Sequence, residues 1–190
     1  MTNSGDTDEA LMARFARGDA ASFEQLYRRH ELRIWRYLER NVGNRATAEE
    51  LMQEVWFAVA RDARRYEPEA KFTTWLFAIA HNRMIDSIRA QRRPMSLDAL
   101  GYEAESVIEH LTTNPADGPL AAADASDKAA ALLRAVDQLP REQRDAFLLQ
   151  IEGDLSVEEI AAITMSSFET VKSRLRYARS KLRELLQEYA

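Results

Sequence analysis

Two helix-start signals lie ten residues apart near the end of this 190-residue chain. Ser156 is followed three residues later by Glu159, and Ser166 by Glu169. In such a capping box each side chain satisfies a backbone N–H that a helix start leaves open. Starts this close leave room for one short helix, a tight turn and a longer helix. Leu155–Ile163 supplies the first and Phe168–Leu182 the second. The second carries Lys172, Arg174, Arg176, Arg179, Lys181 and, just beyond, Arg183, with no acid among them. A cationic helix behind a capped helix-turn-helix suits a groove lined by phosphates.

The remainder is helical in pattern as well, because apolar residues recur at helical spacing and no sustained alternation marks a strand. Leu11 and Phe15 share a face that Gly18 stops. Asp19 caps a helix with the stripe Phe23, Leu26, Tyr27, Ile34 and Leu38, which Gly43-Asn44 breaks. Thr47 caps the next, with Leu51, Val55, Ala58 and Val59 inward, until Tyr66-Glu67-Pro68 ends it. Phe72–Arg92 forms at least one more helix and could break at the polar stretch His81-Asn82-Arg83. Between 94 and 119 lie Pro94, Pro115, Pro119, Gly101 and Gly118, and acids outnumber bases up to Asp127. That composition reads as a linker. Beyond it, Leu132, Leu133, Val136 and Leu139 form one stripe; Pro140 starts a helix in which Phe147, Leu148 and Ile151 face inward. The predicted class is all-α: two small helical domains joined by an acidic flexible linker. The boundaries are a polar tail over 1–10, a first domain over 11–93, the linker over 94–127 and a helix-turn-helix domain over 128–190.

A net charge of −5 argues against a free-standing nucleic-acid binder. The charge is uneven, however. From Arg61 to Arg93 the bases outnumber the acids, whereas 94–127 holds seven acids and neither Lys nor Arg. Two basic regions around an acidic connector suggest two contact surfaces and a partner that does much of the binding. The absence of cysteine excludes disulfides and thiolate metal sites. His30, His81 and His110 lie far apart, so no catalytic residue, metal site or cofactor is expected. No apolar run is long enough to span a bilayer, and the polar, acidic start is unlike a signal peptide. The expected compartment is the cytoplasm, without membrane insertion.

Several segments in this order resemble the extracytoplasmic-function sigma factors of bacterial RNA polymerase. Gly18–Tyr27 resembles the opening of that family's first promoter-binding domain, sigma region 2. Ala48–Trp56 resembles the helix that docks on the polymerase clamp. Tyr66-Glu67-Pro68 followed by Phe72–Asp86, with Arg89 and Arg93, resembles the strand-melting segment. Leu139-Pro140 with Arg144, then Leu155–Ala161 and Thr170–Leu175, resembles the second promoter-binding domain, sigma region 4. The family usually has a Leu-Gly pair at the turn of the helix-turn-helix. Here stand Thr164-Met165-Ser166-Ser167-Phe168-Glu169. A non-glycine residue in a left-handed position costs roughly 1 kcal/mol, which predicts a turn of different shape.

The resemblance implies a promoter-specificity subunit, not an enzyme, with core polymerase, promoter DNA and a dedicated anti-sigma factor as partners. It assigns Glu49, Glu50, Leu51, Gln53 and Glu54 to core docking; read from the residues alone, these acids are a solvated helix face. For melting and downstream contacts it points to Lys71, Phe72, Trp75, Asn82, Arg83, Arg89 and Arg93. Exposed aromatics beside cations form a platform on which single-stranded bases stack, although from the residues alone the default reading of Phe72 and Trp75, with Tyr66 and Phe77, is core. The Asn82 amide can read the edge of an unpaired base, or cap a following helix. His81 reads as its surface neighbour. For the upstream element, Phe168, Glu169, Ser173 and Arg176 face base edges, and Lys172, Arg179 and Arg183 face phosphates, with Thr170 on the flank. Opposite that face, Val171, Leu175, Ala178, Leu182 and Leu185 are core. Two rivals remain at this point: a free-standing helix-turn-helix regulator, and a helical adaptor without DNA function.

Overall fold

A computed structural model describes residues 6–67, 71–92 and 119–187. Among these residues the regular elements are eight α-helices and one short 3₁₀ turn. The helices are α1 Asp8–Phe15, α2 Ala20–Val42, α3 Arg45–Asp62, α4 Phe72–Arg92, α5 Pro119–Asp137, α6 Arg141–Gly153, α7 Val157–Thr164 and α8 Phe168–Leu185. The turn, Ala63–Arg65, ends α3.

Local rules account for most boundaries. The Asp19 carboxylate accepts from the Ala21 N–H and starts α2; Gly43, at φ 64°, ends it in the left-handed conformation that glycine adopts without steric cost. The α3 cap is Asn44 rather than Thr47, and it is the Thr47 N–H that donates to the Asn44 side chain. The polar tail ends earlier than expected. Thr7 caps α1 at Asp8, and Leu11 and Met12 are buried. The linker also ends earlier: Pro119–Asp137 is helical, so 119–127 belongs to α5, while 93–118 lies outside the described residues. Pro140 precedes the first residue of α6 instead of being it.

The α7 capping box forms as the sequence implies, with both Ser156 and Glu159 bonds present. The second cap slips by one residue. Ser167, not Ser166, accepts from the Thr170 N–H at 3.2 Å, and Ser166 instead accepts from Arg174 at 3.0 Å. Met165 takes φ 50°, ψ 39°, so the turn keeps the left-handed shape that glycine would give and carries the associated strain.

Packing joins the two halves. α2 is the central element, flanked by α1, α3 and α4 on one side and by α6 on another, while α7 touches α4. Leu26, Ile34, Leu38, Leu51, Val55, Val59, Leu76, Leu149, Leu155, Ile160 and Leu175 belong to one contiguous buried core. In α6 the buried face is Asp145, Ala146, Leu148 and Leu149; Ile151, expected inside, is 58% exposed. In α5 it is Ala131, Ala135 and Val136, with Leu132 turned outward. Val136, Leu139 and Leu148 are buried as expected; only the edge residues Leu132 and Ile151 differ, because the apolar periodicity there is broad and the neighbouring helix decides which edge is covered. The last residue of α6, Gly153, allows close approach to α4: a Cβ there would lie 3.4 Å from the Phe77 ring and 2.8 Å from Leu155.

A buried polar cluster sits between the halves. The Tyr37 hydroxyl (α2) donates to Asp145 Oδ1 (α6) at 2.8 Å and meets His81 Nδ1 (α4) at 3.1 Å. His81 Nδ1 is also 3.3 Å from Asp145 Oδ2. Since the single hydroxyl proton goes to Asp145, His81 Nδ1 has to carry the hydrogen it shares with its oxygen neighbours. His81 is therefore a buried interdomain residue, not a surface one. Burial and the adjacent Asp145 push the Tyr37 phenol well above its ordinary pKa, so it stays a donor. Tyr37→Phe should lower stability by about 1–3 kcal/mol by leaving part of a buried carboxylate unsatisfied. Tyr177→Phe, at an exposed position, should stay within about 0.5 kcal/mol of the parent; urea midpoints measure both.

Candidate functional site

The candidate residues fall on three helix faces. On α3, Glu49, Glu50, Gln53 and Glu54 are exposed, whereas Leu51 points into the core at 3% exposure. Leu51 therefore supports the face from below and is not part of a docking surface. Glu49 pairs with Arg45 at 3.0 Å, and Glu54 lies 4.0 Å from Arg83. Phe57, one turn beyond Gln53 and Glu54, is 70% exposed. It went unnoticed in the sequence. The signal was available: it stands outside the stripe Leu51, Val55, Ala58, Val59.

α4 is one uninterrupted helix, so Asn82 does not cap a following one. Its side chain is exposed in mid-helix. Helical spacing places Lys71, Trp75, Asn82 and Arg89 along one stripe, with Arg83 half-buried beside α3. Phe72 departs from expectation: it is fully buried, with its ring centroid 5.4 Å from that of His30. Its side chain is core and presents no stacking surface. Phe77 is buried too. The aromatics that remain partly accessible are Trp75 and Tyr66, whose ring centroids are 5.1 Å apart. Burial, together with Glu9 and Asp8 nearby, pushes the Tyr66 phenol up to about 12. Arg93 lies outside the described residues.

The start of α4 is held by two carboxylates from other elements. Glu9 on α1 accepts from the Phe72 N–H at 2.9 Å, and that bond is the main reason its carboxyl sits below the usual range. Glu159 on α7 accepts from the Thr74 hydroxyl at 2.7 Å, with Lys71 Nζ 4.0 Å away. Burial alone would raise the Glu159 pKa; bonds from the Ser156 N–H and Thr74, together with Lys71, outweigh it and lower it.

On α8, Phe168, Glu169, Thr170, Lys172, Arg176, Arg179 and Arg183 are exposed and Ser173 is half-buried. Val171, Leu175, Ala178 and Leu182 are buried on the opposite side, and Leu185 is half-buried. The Arg176 guanidinium lies over the Tyr177 ring at 4.9 Å, and Lys172 Nζ is 5.9 Å from the Phe168 ring centroid and 3.8 Å from Glu169. Arg179 bonds to Gln150 at 2.6 Å. Tyr177, 55% exposed, lies with Thr170 on the flank of that face.

Residues 26–94 match the family model for sigma-70 region 2, and residues 129–182 that for sigma-70 region 4. The chain is 37% identical to the RNA polymerase sigma factor CarQ of Myxococcus xanthus over 93% of its own length and 96% of that protein. It is 31% identical to the ECF RNA polymerase sigma factor RpoE of Cereibacter sphaeroides, over 97% and 98%. The chain belongs to the extracytoplasmic-function sigma factors. The fold agrees. The sigma factor RpoE of Bartonella quintana, solved with the anti-sigma factor NepR, superimposes with a TM-score of 0.62 at 20% identity, over 87% of this chain and 96% of that one.

As a sigma factor the chain carries its three faces on separate helices within one packed body. Among the described residues no helix is long and apolar enough to cross a membrane, and no group of three or more His, Cys, Asp or Glu could hold a metal ion. If Phe72 is core, Phe72→Ala should cost about 3–5 kcal/mol by urea unfolding. Unchanged stability would return it to the surface as a stacking residue.

Proposed function

We propose that this sigma factor divides its work among the three faces. The acidic α3 face, Glu49, Glu50, Gln53 and Glu54 with Phe57 at its edge, docks on basic helices of the core-polymerase clamp through charge complementarity. The α4 stripe follows the DNA where the strands separate: Lys71, Arg83 and Arg89 neutralise backbone, Trp75 with Tyr66 offers a ring edge, and Asn82 takes the edge of an unpaired base. The α8 face enters the major groove of an upstream element. There Phe168, Glu169, Ser173 and Arg176 read bases, with Thr170 beside them, while Lys172, Arg179 and Arg183 hold phosphates. The polymerase performs the chemistry, and the sigma factor is not itself an enzyme. It works in the cytoplasm, and a dedicated anti-sigma factor holds it inactive; the complex of a structural neighbour with NepR supports that last assignment.

The observation that carries this reading is the exposed position of Asn82. It stands exposed on an unbroken helix, in line with Trp75 and Arg89, and among the described residues no side-chain hydrogen bond or ion pair engages it. Reconstituted transcription with core polymerase on a promoter library tests the whole assignment; a classical repressor would instead be a dimer that shifts palindromic DNA unaided.

Charge reversal at Glu50 and Glu54 should weaken core-polymerase binding while helical content by circular dichroism stays the same. Unaltered core affinity would remove the docking role from α3. Asn82→Ala should leave holoenzyme binding to duplex promoter intact yet reduce strand separation, since a lost base-edge contact costs about 1–3 kcal/mol. Permanganate reactivity of unpaired thymines reads this directly, and full reactivity in the variant would leave Asn82 without a part in opening.

A further inference from the structure

Glu159 serves two structures at once. Its Oε2 closes the α7 capping box by accepting from the Ser156 N–H at 2.7 Å. Its Oε1 reaches into the other half of the molecule, accepting from Thr74 Oγ1 at 2.7 Å, with Lys71 Nζ at 4.0 Å. The receiving site is the first turn of α4. A helix start presents partial positive charge and open N–H groups. Here it also carries an ammonium and a hydroxyl donor, and it has drawn in a second carboxylate, Glu9, on the Phe72 N–H. The two carboxylates differ in origin. Glu9 sits on α1, which packs against α2 and α4 in the same half, so it stays whatever the other half does. Glu159 arrives only when α7 lies against α4.

A carboxylate held by a hydroxyl and an ammonium at a helix start occupies the position that a phosphate oxygen would take. Lys71 is also the first cation of the stripe assigned above to the DNA backbone. We propose that Glu159 is an internal stand-in for a DNA phosphate: in the closed arrangement its carboxylate fills an anion site formed by Lys71 and Thr74, so that closure and strand binding exclude each other at the start of α4. The inference rests on the reading of α4 as a strand-binding helix. The two halves are held in this arrangement by contacts independent of Glu159, namely Tyr37 with Asp145 and His81, and Arg40 with Asp137 at 2.8 Å. Neutralising Glu159 therefore leaves those contacts in place but removes the charge that draws α7 onto Lys71. α7 then gives way at the start of α4, and a strand phosphate reaches the site more readily. Glutamine is the informative replacement, because it still completes a capping box and so keeps α7 folded while the anion is lost.

The test compares four full-length proteins binding a fluorescein-labelled, mixed-sequence single-stranded DNA 20-mer by anisotropy across a salt series: the parent, Glu159→Gln, Glu158→Gln and the double variant Lys71→Gln/Glu159→Gln. Glu158 is the exposed acid next door on α7, so its variant reports the generic benefit of losing one negative charge. Glu159→Gln should bind roughly threefold to tenfold more tightly than Glu158→Gln, and its logarithmic salt slope should steepen by about 0.7, one additional phosphate on single-stranded DNA. The double variant should return to the level of Glu158→Gln. Equal affinities for the two single variants, or no loss when Lys71 is also replaced, would overturn the proposal, as would undetectable binding by Glu159→Gln. The same four proteins are assayed for core-polymerase binding. If none binds core, the polymerase-subunit reading fails by itself, whatever the DNA result.

Discussion

A carboxylate buried between packed helices has to be satisfied by donors from several directions at once, and Asp145 sets that condition for this molecule. It sits on α6, in the half that carries the helix-turn-helix, and its donors stand on α2 and α4 in the other half. Leaving such a group without partners costs far more than any single neutral hydrogen bond contributes. Hence the faces of α2, α4 and α6 have one geometry in which this carboxylate is satisfied, and the apolar core closes around it. Gly153 against Phe77 belongs to the same register of α6 on the first half, and Arg40 against Asp137 ties the end of α5 to α2. Without Asp145 the halves would still share an apolar seam, but much of what orients one against the other would be gone.

The placement of the three faces follows from that arrangement. α3 packs against α2 and α4 and presents its acids outward. α4 is shared: one side is core, its His81 side joins the seam, and the stripe through Asn82 looks away. α7 is drawn toward the start of α4, and α8, packed behind α6, turns its cations outward. The net negative charge of the chain is compatible with this distribution, because the acids collect on α3 and in the segment 94–127 while the cations line α4 and α8.

What the sequence made legible was local. The Asp19 cap, the Gly43 stop, the α7 capping box and the inward stripe of α3 each depend on residues within about one or two turns of each other, where spacing carries the physics. Misreadings came wherever a second helix had the deciding vote. Leu51 and Phe72 were given surface roles because family position and residue type favour them, whereas packing buries both. His81 looked like a surface residue because its partners, Tyr37 and Asp145, are 44 and 64 positions away, beyond any periodic signal. The helix-turn-helix turn was expected to change shape without glycine. Instead it kept its shape, with Met165 in the left-handed region, because the caps on either side fix the path of the chain.

The unbroken course of α4 has a metric consequence. Arg89 stands fourteen positions beyond Trp75, and at 1.5 Å per residue that is a rod of about 21 Å. Duplex DNA rises about 3.4 Å per base pair, so the rod spans about six pairs and cannot stretch. On the assignment proposed above, the distance between the base taken by Asn82 and the phosphate met by Arg89 is set by the helix rise. A one-nucleotide insertion between them would have to be absorbed by bulging the DNA, since the protein has no joint there with which to follow it.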